Sequence, residues 1–262
     1  MSQVDDLGLP PGLREEYLQG ARDQLGGIAE LAERLIDAGD DVAAIEDLRR
    51  EAHKIRGSAG SFGFAQGTVV AAELEEAAKQ WLAQPADGTA TRGAAARGFV
   101  RRLAAALFTK QAQAALPTPH APRPDTPPEP VHDPTPGDVP EVIVVEDDAA
   151  LADLLTFGLE ARGYRFVHYR NGRDALAALR TLETGGTVPL LLLDVDLPAL
   201  DGYSIFEALQ KDCPGKYRVV FTTVHGSETE QLRGLEAGAL DYMVKPMSLR
   251  VALEKIRRWV GR

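Results

Sequence analysis

The sequence predicts a multi-domain protein, in which an all-α four-helix bundle precedes an α/β domain built on a doubly wound, five-stranded parallel sheet. The first part of the chain lacks strand-like patterns and is rich in Ala, Leu, Glu and Arg, which favour helices. Ten of the 17 prolines lie between Pro117 and Pro140. Beyond them, apolar runs alternate with helical patterns. We therefore expect domains at residues 1–116 and 141–262, joined by a proline-rich linker at 117–140.

Composition narrows the class of protein. The net charge of −10 provides no basic field for direct nucleic-acid binding. The single cysteine, Cys213, excludes an internal disulfide and fits a reducing compartment. No apolar run approaches the roughly 20 residues that span a bilayer, and the acidic N-terminus does not resemble a signal peptide. We expect a cytoplasmic protein without membrane insertion.

The first domain is expected to contain four helices with short connections, which favours an antiparallel bundle. A proline pair precedes the first helix, and an acidic pair, Asp40 and Asp41, can cap the second. The predicted helices span about residues 10–38, 42–62, 68–83 and 92–115.

The second helix carries an apolar stripe and one histidine on another face. The stripe repeats at spacings of three and four and consists of Ile45, Leu48, Ala52, Ile55, Ala59 and Phe62. At 100° per residue, His53 lies roughly 130° from the centre of this stripe, so we expect it to face solvent. Gly57 and Gly60 follow on the His53 face, and Arg49 and Arg56 flank it. Each glycine in a helix interior destabilises the helix by about 1 kcal/mol relative to alanine. Two glycines on this face therefore indicate either close packing of another helix or a partner that must approach the imidazole.

The segment HKIRGSAGSFGF, from His53 to Phe64, resembles the phosphoacceptor segment of histidine phosphotransfer (HPt) domains. That pattern is His, any residue, an apolar residue, Lys or Arg, and then Gly. The resemblance implies phosphorylation of His53 on a ring nitrogen, with Arg56 and Lys54 neutralising the phosphoryl charge. A lone exposed histidine, without the glycines and the basic residue at these offsets, would instead indicate an ordinary surface histidine on a bundle. The chain shows no glycine-rich nucleotide-binding loop and no room for an ATP-binding domain, so His53 is expected to receive its phosphoryl group from elsewhere, from a receiver of its own or of another protein.

The second domain alternates strands and helices in five βα units. The expected strands span about residues 141–145, 164–169, 190–193, 217–222 and 241–244. The expected helices span about residues 149–162, 173–182, 203–212, 228–237 and 249–260.

Polar side chains follow these strands, where open α/β sheets bind ligands. Glu146 and Asp147 follow the first strand, and Asp194 follows the third. An isolated aspartate there would be a turn or cap residue, but three crowded carboxylates raise each other's pKa unless a cation joins them. A hard divalent ion, most simply Mg²⁺, fits oxygen ligands. With Thr223 and Lys245 after the fourth and fifth strands, the set predicts a phosphoryl-transfer site in which Asp194 attacks.

This half of the chain resembles the receiver domain of response regulators, which has a flavodoxin-like fold. The resemblance implies that Glu146 and Asp147 bind Mg²⁺, that Asp194 is phosphorylated and also a metal ligand, and that Asp196 offers its backbone carbonyl to the metal. It further implies that Thr223 contacts the phosphoryl oxygens.

The same resemblance assigns the residues of the last strand and its exit. Lys245 should pair with the phosphoryl group, Tyr242 should be an aromatic switch residue, and the bond between Lys245 and Pro246 should be cis. One departure is Val224, because receivers usually have a small residue after the threonine.

Together the two resemblances predict a two-component phosphorelay protein whose partners are a sensor histidine kinase and other receiver or HPt proteins. It would support only its own phosphorylation and would not be an enzyme with turnover. A homodimer through the receiver is a further expectation. Two alternatives remain at this point. The receiver could control a protein-binding contact with the bundle only docking partners, or the chain could be the regulatory front of a longer effector such as a nucleotide cyclase.

Overall fold

The computed structural model describes residue 9 and residues 12–108, 139–224 and 228–261. The chain divides into two compact units, residues 1–124 and 125–262. The predicted linker lies outside the described residues except for Val139 and Pro140. The predicted domain boundaries therefore stay predictions.

The first unit is the predicted bundle of four helices. They are α1 (Leu13–Asp37), α2 (Val42–Ser58), α3 (Ala65–Ala83) and α4 (Thr89–Phe108). Helix α2 packs mainly on α3, and α1 packs mainly on α4. The carboxylate of Asp41 caps α2 by accepting a 3.0 Å hydrogen bond from the backbone N–H of Ala44. The six residues of the predicted apolar stripe are all buried. The part of the fourth predicted helix beyond Phe108 lies outside the described residues.

Helix α2 ends earlier than predicted. Its last predicted turn is a tighter 3₁₀ turn, Ala59–Phe62, after which Gly63 adopts a left-handed conformation with a φ of 86°. The ring of Phe62 stacks on Tyr17 of α1 with ring centroids 4.2 Å apart. Aromatic packing thus holds this turn against the neighbouring helix.

An arginine joins the helix ends at one end of the bundle. Arg92 is 1% exposed. Its guanidinium donates to the backbone carbonyls of Gly39 (2.8 Å), Gln84 (2.6 Å) and Asp87 (2.7 Å). These carbonyls follow α1 and α3, so one side chain satisfies polar groups that helix termini leave exposed.

The second unit has five parallel strands in the order β2-β1-β3-β4-β5, the flavodoxin-like order. The strands are β1 (Val142–Val145), β2 (Phe166–Tyr169), β3 (Leu190–Asp194), β4 (Arg218–Thr223) and β5 (Asp241–Val244). The helices between and after them are α5 (Ala149–Ala161), α6 (Gly172–Thr181), α7 (Gly202–Asp212), α8 (Glu228–Glu236) and α9 (Leu249–Val260). The predicted fold class is confirmed.

The register of the strands places the polar residues that follow them at one edge of the sheet. Val145 of β1 pairs with Leu193 of β3, so Glu146 and Asp194 follow side by side. Asp194 pairs in turn with Thr222 of β4. The strands are buried almost throughout because helices cover both faces of the sheet.

Among the described residues, no helix is both long enough and apolar enough to cross a membrane.

Candidate phosphotransfer sites

His53 lies between two helices rather than in solvent. Its residue is 8% exposed, and Nδ1 lies 3.3 Å from Oε1 of Glu75 on α3. The prediction that His53 faces solvent was wrong because α3 packs on that face of α2. Gly57, on the same face, is also buried. Gly60 belongs to the 3₁₀ turn and not to the helix interior.

Glu75 is the centre of a small charged cluster. It is fully buried, and it accepts hydrogen bonds from Arg56 on α2 (3.0 Å) and forms an ion pair with Lys79 (2.8 Å). Burial by itself would raise the pKa of Glu75, but its contacts with His53, Lys79 and Arg56 outweigh burial and hold the pKa well below the usual range. The ionised carboxylate can only accept, so it selects the imidazole form that carries its proton on Nδ1.

The basic residues predicted around His53 have separate roles. Arg56 contacts the buried Glu75, whereas Nζ of Lys54 lies 3.5 Å from the carboxylate of Glu51 on its own helix. The sequence reasoning missed Glu75 and Lys79. The signal was present, because Glu75 falls on the buried stripe of α3, where an ionisable residue is unusual.

The three predicted carboxylates of the second unit meet at the sheet edge. Glu146, Asp147 and Asp194 each offer an oxygen atom, and these atoms all lie within 4.8 Å of one another. Glu146 and Asp194 are buried, and Asp147 is half-buried. Burial and the charge of Asp194 raise the pKa of Glu146. Hard oxygen donors in a cluster of this charge fit a divalent cation such as Mg²⁺.

Lys245 brings a positive charge into the same site. Nζ lies 2.7 Å from Oε2 of Glu146 and 3.0 Å from Oδ2 of Asp194. Burial alone would lower the pKa of Lys245, but the charges of Asp194 and Glu146 outweigh burial and raise it. The side chain therefore stays an ammonium ion, and the peptide bond to Pro246 is cis, as predicted.

The other predicted receiver residues occupy the same edge. The backbone N–H of Lys245 donates to the carbonyl of Thr223, a buried residue at the end of β4. The backbone N–H of Asp196, whose side chain is exposed, donates to Oδ1 of Asp194 at 3.4 Å. Val224, the departure from the receiver pattern, is buried.

Tyr242 is turned inward beneath this edge. It is 5% exposed, its ring centroid lies 5.2 Å from that of Phe221, and its hydroxyl lies 3.3 Å from the hydroxyl of Tyr203 on α7. A Cβ atom built on Gly234 of α8 would overlap the Tyr242 hydroxyl. Tyr203 and Gly234 were not identified from the sequence, because neither has a local pattern that indicates this contact.

Two family profiles match the chain. The Hpt domain profile matches residues 12–110, and the response regulator receiver domain profile matches residues 142–257. The chain therefore carries an Hpt domain followed by a receiver domain, which confirms both resemblances. These are phosphotransfer domains of two-component phosphorelay signalling, and neither is a kinase domain.

Curated relatives include the transcriptional regulatory protein PcoR of Escherichia coli, which is 34% identical over 121 residues, or 46% of this chain and 51% of PcoR. A probable transcriptional regulatory protein of Picosynechococcus is 33% identical over 124 residues, or 46% of this chain and 49% of the relative. The chain spans about half the length of these relatives.

Among solved structures, the receiver domain of the sensor histidine kinase PA1611 from Pseudomonas aeruginosa, crystallised with a magnesium ion in its active-site cleft, is 25% identical. The match covers 48% of this chain and 100% of that chain, with a TM-score of 0.41.

Proposed function

We propose that this protein relays phosphoryl groups, with His53 and Asp194 as the two acceptors. The observation that carries the proposal is the setting of Asp194, whose carboxylate lies 3.0 Å from the Lys245 ammonium and beside two further carboxylates. A cation and an acidic cluster around a nucleophile are the parts that phosphoryl transfer requires.

At the receiver, a carboxylate oxygen of Asp194 attacks the phosphorus of a phosphohistidine or a small phosphodonor. The new O–P bond gives an acyl phosphate, and the bond from phosphorus to the donor's leaving atom breaks. Lys245 stabilises the charge on the transferring oxygens, and the Thr223 hydroxyl donates to one of them. Glu146, Asp147 and Asp194, with the backbone carbonyl of Asp196, would hold a Mg²⁺ ion. When bound, that ion neutralises phosphoryl charge.

At the bundle, Glu75 keeps the proton of His53 on Nδ1, so the lone pair lies on Nε2. Nε2 is buried in this structure, so a docking receiver or kinase must uncover it. Nε2 then attacks the phosphorus of the phosphorylated partner, forming an N–P bond as the donor's bond breaks. The imidazole gains positive charge in this step, and the ionised Glu75 stabilises it. Arg56 and Lys79 keep Glu75 ionised, and Lys54, the next residue along α2, would help to neutralise the incoming phosphoryl group.

The chain would act as a stoichiometric phosphoryl carrier in the cytoplasm and not as an enzyme with turnover. Its partners would be a sensor histidine kinase and other receiver or HPt proteins. We place the domains at residues 1–116 and 141–262, with the linker at 117–140. A proline-rich linker would hold its ends apart and so lower the effective concentration of one acceptor at the other. We therefore propose that His53 exchanges mainly with proteins on other chains.

The test is phosphorylation of the full chain and of its His53→Gln and Asp194→Asn variants. Acetyl phosphate should label wild type and His53→Gln with a base-labile acyl phosphate, and should leave Asp194→Asn unlabelled. A phosphorylated relay partner should label Asp194→Asn with an acid-labile phosphohistidine that is absent from His53→Gln. A variant that carries both substitutions should not be labelled by either donor. Labelling of that double variant at wild-type levels would overturn the proposal.

Dilution separates transfer between chains from transfer within one chain. If exchange between His53 and Asp194 occurs mainly between chains, its rate should fall as the protein is diluted. A rate independent of protein concentration would contradict that part of the proposal.

A further inference from the structure

A buried histidine of β2 contacts the backbone of Glu146, the residue that follows β1 in the carboxylate cluster. His168 of β2 is 3% exposed, and its Nε2 lies 2.9 Å from the backbone carbonyl oxygen of Glu146. A carbonyl can only accept, so Nε2 must carry the proton and donate. Burying an imidazole inside a sheet costs free energy unless the ring finds a partner.

Both backbone polar groups of Glu146, which lie in two successive peptide units, are held from β2. Its N–H donates to the carbonyl of Tyr169 at 3.0 Å, and its carbonyl accepts from His168 at 2.9 Å. These contacts fix the chain direction where β1 ends. The carbonyl that His168 contacts belongs to the peptide unit joining Glu146 to Asp147, two of the three carboxylate residues of the cluster.

We propose that His168 is a positioning residue for the divalent-cation site, which acts by fixing the Glu146–Asp147 peptide through its Nε2–H. The inference rests on the proposed function, in which this site holds Mg²⁺. Outer-shell hydrogen bonds that orient ligand groups typically change metal affinity by about 10- to 100-fold when removed. His168 touches no transferring atom, so its effect passes through the carboxylates that bind the ion.

The experiment is a Mg²⁺ titration of the full chain, followed by backbone amide NMR shifts at the ends of β1 and β3. His168→Leu removes the donor at similar volume and should weaken Mg²⁺ binding about tenfold. His168→Gln keeps an N–H donor of comparable reach and should stay within about threefold of wild type.

The matched control is Val167→Ala. Val167 is the adjacent buried residue of β2 and points to the opposite face of the sheet. This variant should lower stability, by creating a cavity, without changing Mg²⁺ affinity. If Val167→Ala weakens binding as much as His168→Leu does, or if His168→Leu binds Mg²⁺ like wild type, the proposal is overturned.

A wild-type measurement covers the case in which His168→Leu does not fold. The Nε2–H resonance of His168 should shift as Mg²⁺ saturates the site, because coordination polarises the peptide that accepts its hydrogen bond. An unchanged resonance at Mg²⁺ saturation would refute the positioning role of His168. It would not affect the proposal that Asp194 is phosphorylated. Failure of wild type to bind Mg²⁺ at all would remove both this inference and the metal from the proposed function.

Discussion

The hydroxyl oxygens of Tyr203 and Tyr242 lie 3.3 Å apart, within hydrogen-bonding distance. Tyr203 stands in the first turn of α7, directly after the loop that leaves Asp194, and Tyr242 lies on β5, three residues before Lys245. The two tyrosines therefore connect the segments that carry Asp194 and Lys245. Gly234 makes this arrangement feasible, because a side chain there would overlap the Tyr242 hydroxyl.

We predict that Gly234→Ala destabilises the receiver by about 1–3 kcal/mol, as overpacking of a buried site usually does. In a Tyr242→Ala background the same change should cost much less, because the clashing ring is absent. Urea unfolding of the four proteins in this double-mutant cycle measures the coupling. Additive effects would show that the inward Tyr242 does not depend on Gly234.

Glu75→Gln should slow phosphotransfer to His53 by at least about tenfold. An amide still offers an acceptor to Nδ1, but it lacks the charge that stabilises the imidazole as it becomes positive. Initial rates with a phosphorylated receiver provide the measurement. The control is Glu76→Gln, an exposed neighbour on α3, which should transfer like wild type. Equal rates for all three proteins would argue against a role for Glu75.

The lowered pKa of Glu75 also predicts a pH dependence of stability. A carboxyl group with a lower pKa in the folded state stabilises the fold above its unfolded pKa, near 4.5, and this contribution disappears as the pH falls toward the folded-state pKa. The stability difference between wild type and Glu75→Gln should therefore shrink below about pH 4.5. Urea unfolding followed by Trp81 fluorescence in a Trp259→Phe background isolates the bundle, and a constant difference would contradict the linkage.

Arg92→Lys should destabilise the bundle by about 2–4 kcal/mol, although it preserves the charge. One ammonium cannot reach the separate carbonyls of Gly39, Gln84 and Asp87 that the guanidinium spans. The same urea assay measures the loss. Arg101→Lys, at an exposed position of α4, should change stability by less than about 0.5 kcal/mol. Tolerance of Arg92→Lys would show that these hydrogen bonds contribute little.

Removal of divalent cations should abolish labelling of Asp194 by acetyl phosphate, and added Mg²⁺ should restore it. Without the ion, the Lys245 ammonium carries one positive charge against three neighbouring carboxylates when an anionic donor arrives. Labelling with and without excess chelator tests this directly. Undiminished labelling in chelator would mean that Lys245 suffices and that the acidic cluster has another role.

The receiver site could be predicted in detail because its residues are tied to strand ends. Apolar runs that alternate with helical patterns predict a parallel sheet, and parallel strands bring their carboxyl ends to the same edge. Glu146, Asp194 and Lys245 could therefore be grouped from their places in the chain, and the structure brings them within hydrogen-bonding distance. The helical bundle and the apolar stripe of its second helix could likewise be predicted, from apolar residues that repeat with the period of a helix.

The sequence by itself determined the two fold classes and the order of elements, and it singled out His53 and Asp194 as the proposed acceptors. Only the tertiary structure decided that His53 is buried against Glu75, that Tyr203 contacts Tyr242 and that His168 supports Glu146. Each of these contacts joins residues from separate parts of the chain, more than ten residues apart, and the His168 contact is to a backbone carbonyl. Periodicity fixes which face of one helix or strand a residue occupies, but the element that packs on that face is set by the free energy of the whole arrangement.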